Sequence, residues 1–461
     1  MLATAPVVAA GFPAGAQERS SNPVAAGHDE PGVRRTTLLR GASLVLTMDP
    51  SLGSGPLGQL DGDVDLLLRD GKIAAVGRRL TAPRGTRVMD ARGRIVLPGF
   101  VDLHNHLWQS SIRGGCSDQD LNGWLGACNR ATLPKIDATG IHSFVRLAAL
   151  DALQAGVTTV VDWVHAIPWE TTRRYVDALA GSGMRFVYAC TQNPDTLGLI
   201  TRAKRELIDP LPLASLQVSL HPGMSALPRM RAFRALADEL GVTLNSHVLE
   251  HRTDRAQEPV RSLVESGILG PDLLMNHAIH LTPEEIDLVA ERGVRIAHNP
   301  LSNMRLASGI CPVPEYAARG VPVGLGHDGG TNDTSDMFAV MKTAVGLQRA
   351  RHEDPGIAPT LPAVLRMATL GGAEILGMAD RIGSLTPGKR ADLLVLDPGT
   401  LNFAPRFDWI PQIVLNGQPG NVSEVFVDGY LRKSGGRLVG VDTERVVRDA
   451  ELAADRLRAA G

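Results

Sequence analysis

Between residues 36 and 96, apolar positions come in short runs at 38–47, 64–69, 73–76 and 86–89, parted by Gly, Asp and Pro. Such runs predict the strands of a small sheet. From Gly99 to about Leu325 the texture changes, and apolar stretches alternate with Ala/Leu/Glu/Arg-rich segments of helical period. The apolar stretches lie at 99–103, 158–163, 185–189, 216–220, 243–246, 273–276, 294–297 and 321–325. Eight strands, each followed by a helical segment, predict an α/β chain folded as a TIM (β/α)8 barrel. Helices are predicted around 336–352 and 361–377, and β texture returns at 391–396 and 424–427. The two flanking pieces, 33–96 and 383–440, are expected to join in one β-sandwich domain beside a catalytic barrel at 97–382. Residues 441–461 are read as a terminal helix whose spaced charges form a solvated face.

The chain has 461 residues, enough for a large enzyme domain and a smaller one. It carries 47 Lys plus Arg against 49 Asp plus Glu, so no basic footprint marks nucleic acid as a partner. Cys116, Cys128, Cys190 and Cys311 show no CxxC spacing, which indicates neither a disulfide scaffold nor a zinc ribbon. Residues 1–32 read as leader and linker. The uncharged stretch 1–16 is too short, and too broken by Pro6 and Pro13, to span a bilayer as a helix, which needs ~20 apolar residues. Ala14-Gly15-Ala16 fits a signal-peptidase site without a basic start. An exported protein and a cytoplasmic one with an Ala/Pro-rich leader are both consistent with it.

The chemistry gathers where the barrel strands end. The first strand runs into His104-Asn105-His106, the fifth into His247 with Glu250 three residues on, the sixth into His277 with His280, and the eighth into Asp328. Residues i and i+2 of a strand point to one side, so His104 and His106 can face one ion in the barrel mouth. Imidazoles with a carboxylate suit Zn2+ and are also accepted by Fe2+. A lone histidine at such a place is commonly structural. Four strand ends changing together are hard to attribute to packing.

These segments resemble the amidohydrolase superfamily over about 38–435. The resemblance is carried by Pro98-Gly99-Phe100-Val101-Asp102 before the His104 pair, Ser246-His247-Val248-Leu249-Glu250, Asn276-His277-Ala278-Ile279-His280, His298-Asn299-Pro300 with Ser302-Asn303, and Gly326-His327-Asp328-Gly329. Residues 383–393 resemble the superfamily's return to its β-sandwich. The fourth strand offers no lysine to bridge two metals, so the pattern is similar to the mononuclear deaminase and chlorohydrolase branch.

That resemblance implies one divalent ion, Zn2+ before Fe2+, held by His104, His106, His247 and Asp328. It implies catalytic roles for three residues: Asp328 as proton acceptor, Glu250 as proton donor to a ring nitrogen, and His277 as the group that orients the water. It further implies substrate contacts from Trp108 (stacking), Gln109 (hydrogen bonding) and His221. Trp124 is read equally as core, Arg113 as a contact for a carboxylate or phosphate, His280 as structural, and His327 as substrate contact, shield or packing. The expected activity is deamination of a small amino-substituted N-heterocycle. The alternatives are hydrolysis of a cyclic amide, an imine or a C–Cl bond at the same metal, and a non-catalytic binding protein. No membrane span is expected, and a homo-oligomer is left open.

Overall fold

A computed structural model describes residues 36–329 and 334–459; the leader, with its Ala14-Gly15-Ala16 reading, lies outside the described residues. Five strands open the chain: β1 (Thr37–Leu46), β2 (Gln59–Arg69), β3 (Lys72–Gly77), β4 (Arg87–Asp90) and β5 (Ile95–Pro98). Eight parallel strands follow: β6 (Phe100–Asn105), β7 (Val157–Val164), β8 (Arg185–Cys190), β9 (Ala214–Leu220), β10 (Thr243–Val248), β11 (Leu273–His277), β12 (Arg295–His298) and β13 (Val323–Leu325). They neighbour one another in chain order. β7 and β8 are buried along their whole length, as expected of strands covered by helices outside and by barrel side chains inside. Last come β14 (Leu393–Leu396), β15 (Val422–Val427), β16 (Tyr430–Ser434) and β17 (Arg437–Leu438).

The flanking β pieces form one nine-stranded mixed sheet in the order β17-β16-β15-β14-β5-β1-β2-β3, with β4 on β1. β5 is the hinge of this arrangement, pairing in parallel with β1 and antiparallel with β14. The apolar pattern did not predict β5, because four buried residues directly before Gly99 show no alternation. β16 and β17 were missed because Arg432, Lys433 and Arg437 dilute their runs.

The terminal helix Thr443–Ala459 is more than a solvated face. Val446, Ala450 and Ala453, spaced at i, i+4 and i+7, are buried, and the two alanines pack against Phe144 of the helix Ala138–Gln154.

Two features place the site. Between β13 and β6 the barrel closes through the chain that carries the chemistry: the backbone N–H groups of His327 and Asp328 donate to the His104 carbonyl at 3.0 and 2.8 Å. At the other end a buried ion pair ties the sheet to the barrel. Arg185 Nε, at the start of β8, donates to Asp392 Oδ2 at 3.0 Å, and Asp392 Oδ1 accepts from the Asp428 backbone at 2.6 Å. Arg185 and Asp392 side chains are 8% and 2% exposed. Without Asp392, buried Arg185 keeps a carboxylate, Asp428, at 3.9 Å and loses its hydrogen-bonded partner. Asp392→Ala should therefore cost about 3–5 kcal/mol, read as a lower urea midpoint, with metal content per folded protein unchanged.

Candidate functional site

β6 delivers two imidazoles to the barrel mouth. His106 Nδ1 donates to the Trp163 carbonyl at 2.7 Å. A carbonyl only accepts, so Nδ1 keeps its hydrogen and, in the neutral ring, Nε2 presents a lone pair. That Nε2 lies 3.3 Å from His247 Nε2 and 3.3 Å from Asp328 Oδ1. His104 Nε2 is 3.1 Å from the same Asp328 oxygen, and the His104 and His247 rings meet edge to face at 4.7 Å. Burial pushes the His104 pKa below its ordinary value and that of His247 well below it. Neutral imidazoles with a carboxylate make a donor set for a divalent cation. One ligand atom each from His104, His247, His277 and Asp328 falls within 4.8 Å of the others, and His106 stands beside them.

Gly326 and Gly329 explain why Asp328 reaches this cluster. A Cβ on Gly326 would sit 2.3 Å from Asn299 Oδ1 and 2.9 Å from the His104 backbone nitrogen. A Cβ on Gly329 would meet Gln109 Oε1 at 2.5 Å and His106 Cβ at 2.8 Å. The two glycines thus let the end of β13 press onto the end of β6. Asp328 itself holds φ +66°, and His277 φ +67°, a region that side chains with a Cβ rarely adopt and that concentrates at functional sites. Ser302 donates to Asp328 Oδ2. Burial would raise the Asp328 pKa, but the neighbouring imidazoles, His277 foremost and then His104 and His106, outweigh it and hold the carboxyl well below its usual range.

Glu250 sits opposite, with Oε2 3.4 Å from His277 Nε2. Burial, reinforced by the Asp328 and Asp254 charges, raises its pKa well above the ordinary glutamate value. The neighbouring carboxyls are therefore driven apart, one towards the acid and one towards the base. His277 Nδ1 accepts from Asn303 Nδ2 at 2.8 Å, with Asn299 Nδ2 at 3.4 Å, so in the neutral ring the hydrogen is on Nε2. Burial lowers the His277 pKa to about 3.

A cavity of about 340 Å³ opens over this cluster, lined at its floor by His106, His247, Glu250 and Asp328. Gln109, Trp124 and His221 line it too. Trp108 does not: it is fully buried in the hydrophobic core. Burial holds the His221 pKa at about 4. Arg113 lies outside this cavity, paired with Asp151 at 2.9 Å beside a second one of about 260 Å³. His327 Nδ1 is 3.0 Å from Asp102 Oδ2, and His280 Nε2 donates to the Ser308 carbonyl at 2.7 Å. Two cysteines that spacing had left single, Cys116 and Cys128, are disulfide-bonded. Their bond closes the loop bearing Leu121, Trp124 and Leu125, all cavity residues. The pairing joins residues twelve apart across a fold of the loop, which no local motif announces.

Residues 95–432 match the amidohydrolase family. The chain belongs to the amidohydrolase family. It is 33% identical over 442 residues to a 5-methylthioadenosine/S-adenosylhomocysteine deaminase of Syntrophobacter fumaroxidans, covering 90% of this chain and 97% of that one. It is 31% identical to a 5'-deoxyadenosine deaminase of Methanopyrus kandleri, covering 79% and 86%. Among solved structures, a zinc-bound adenosine deaminase from Xanthomonas campestris superimposes with a TM-score of 0.82 at 27% identity, covering 92% of this chain and 98% of that one. A zinc-bound atrazine chlorohydrolase from Arthrobacter aurescens gives 0.83 at 25%, covering 91% and 100%. This amidohydrolase is thus an enzyme acting on carbon–nitrogen bonds other than peptide bonds, and it uses a divalent metal. Among the described residues, no helix is long and apolar enough to cross a membrane.

Sequence reading passed over several supporting residues. His165 follows β7 directly and lines the cavity, the same strand-end position that flagged His247 and His277. Trp163 packs its ring against His106, His165, His221 and His247 at centroid distances of 5.5, 5.0, 5.0 and 4.7 Å; its apolar character disguised it as ordinary core. Gly326→Ala touches no donor yet intrudes on the His104 backbone. It should loosen the metal about tenfold or more, measured as the ion retained after dialysis against a graded chelator.

Proposed function

We propose that this amidohydrolase is a zinc aminohydrolase that deaminates the adenine ring of a nucleoside. The observation that carries the reading is the placement of two buried carboxyls on either side of His277 at one cavity, Glu250 with its pKa raised and Asp328 with its pKa lowered. That pair suits a reaction needing one proton given and one taken at neighbouring atoms. The adenosine-type substrates named for the relatives fit it.

His104, His106, His247 and Asp328 would hold the single ion, with His277 outside the set because its Nε2 carries hydrogen. When bound, a divalent ion there lowers the pKa of a water towards ~7 and so supplies a nucleophile at neutral pH. Asp328, steadied by the Ser302 hydroxyl, takes the proton that the attacking water loses. Glu250 protonates the ring nitrogen beside the amino-bearing carbon, which makes the C=N bond electrophilic. His277 Nε2–H donates to the attacking oxygen and fixes its approach. Asp328 then returns its proton to the amino group, the C–N bond breaks, ammonia leaves, and Glu250 recovers a proton as the carbonyl forms. A C–Cl bond would be open to the same attack, with chloride rather than ammonia released.

Ammonia release from adenosine, 5'-deoxyadenosine, other purines, pyrimidines, pterins and s-triazines tests the reading. Activity on an adenine nucleoside is expected, and chloride release from a chlorotriazine with no deamination would overturn it. Elemental analysis should give close to one ion per chain, and two ions both needed for turnover would contradict the ligand set. Glu250→Gln should keep its metal while kcat falls by roughly 10²-fold or more. Loss of the metal in that variant would make Glu250 a ligand instead of an acid.

A further inference from the structure

We infer that His165 is a specificity-determining residue that hydrogen-bonds the sugar of the substrate. The inference rests on the nucleoside reading above and adds a residue that reading does not use. His165 lines the same cavity as His106, His247, Glu250 and Asp328. Its ring is clamped from three directions: edge to face on Trp163 at 5.0 Å, edge to face on Trp108 at 5.8 Å, and tilted over His106 at 5.5 Å. Fixed packing of this kind gives a side chain one orientation, as a recognition group requires. Its Nδ1 is closed off from the cavity, so Nε2, which is not buried, is the nitrogen that can meet a ligand there.

Topology says which part of the substrate it meets. Going round the barrel in chain order, β7 is the second strand and β11 the sixth, so the ends of the two face each other across the mouth. His277 ends β11, and Glu250 follows the adjacent β10. The carbon that loses its amino group must lie against Glu250 and His277. In an adenine nucleoside that carbon is on the six-membered ring, and the sugar is on the far side of the five-membered ring. The sugar therefore projects towards the β7 end, where His165 stands. An imidazole offers a donor, and in its neutral form an acceptor as well, which matches a hydroxyl.

The test compares kcat/KM of wild type, His165→Phe and His165→Gln on adenosine and its 2'-, 3'- and 5'-deoxy analogues. Phe keeps a flat ring against Trp163 and Trp108 but cannot hydrogen-bond; Gln keeps donor and acceptor. Wild type is expected to discriminate about tenfold or more against the analogue lacking the contacted hydroxyl. His165→Phe should compress that ratio to within about threefold, through KM, with zinc content unchanged, and His165→Gln should restore part of it. An unaltered ranking in His165→Phe, or a wild type indifferent to all three hydroxyls, would overturn the role of His165 alone. A zinc-replete wild type that deaminates none of the four would overturn the nucleoside reading, and this inference with it.

Discussion

The hydrogen bond from His106 Nδ1 to the Trp163 carbonyl is the constraint on which the site depends. It settles which nitrogen of His106 is free to bind, and it does so from the backbone of the neighbouring strand, where no side-chain movement can undo it. The free nitrogen is turned onto His247 Nε2 and Asp328 Oδ1. The His106 lone pair and the Asp328 carboxylate repel at that range, and a cation between them reverses the sign of that interaction. Trp163 adds a second restraint, since its ring bears on His106 and His247 together. One residue of β7 thus bears on imidazoles delivered by β6 and β10.

From this centre the electrostatics of the cavity follow. The imidazoles draw Asp328 towards its charged form, while burial, with that charge beside it, raises the Glu250 pKa. The two carboxyls are thereby shifted in opposite directions by position alone, with no difference in their chemistry. The second row of residues keeps each group in its role: Asn303 sets the His277 hydrogen and Ser302 steadies Asp328. Asp102 gathers bonds from Asn105 and the His104 backbone at 2.7 and 3.2 Å. It thereby fixes the turn on which both β6 histidines ride.

Much of this was legible in the sequence because barrels concentrate their chemistry at one end of their strands. The eight apolar runs fell within a few residues of β6 to β13, and His104, His106, His247, Glu250, His277 and Asp328 stood where those runs stopped. The Ser302-Asn303 motif was visible too, though its purpose needed the fold, since it acts by bonds to His277 and Asp328 on other strands. What stayed hidden has a common cause. Trp108 is fully buried, while Trp124 both packs in a core cluster and lines the cavity, and an aromatic side chain carries no mark of which it will do. The partners of Cys116, of Asp392 and of the terminal helix are likewise set by tertiary approach, which leaves no period in the chain.

The central claim is that one ion sits among His104, His106, His247 and Asp328, with His277 held off by the hydrogen on its Nε2. Anomalous X-ray diffraction at the zinc edge, from crystals of zinc-loaded protein, reads this directly. The account predicts a single peak per chain, within coordination distance of those four side chains and not of His277. A second peak, or a single one ligated by His277 in place of His106, would contradict it.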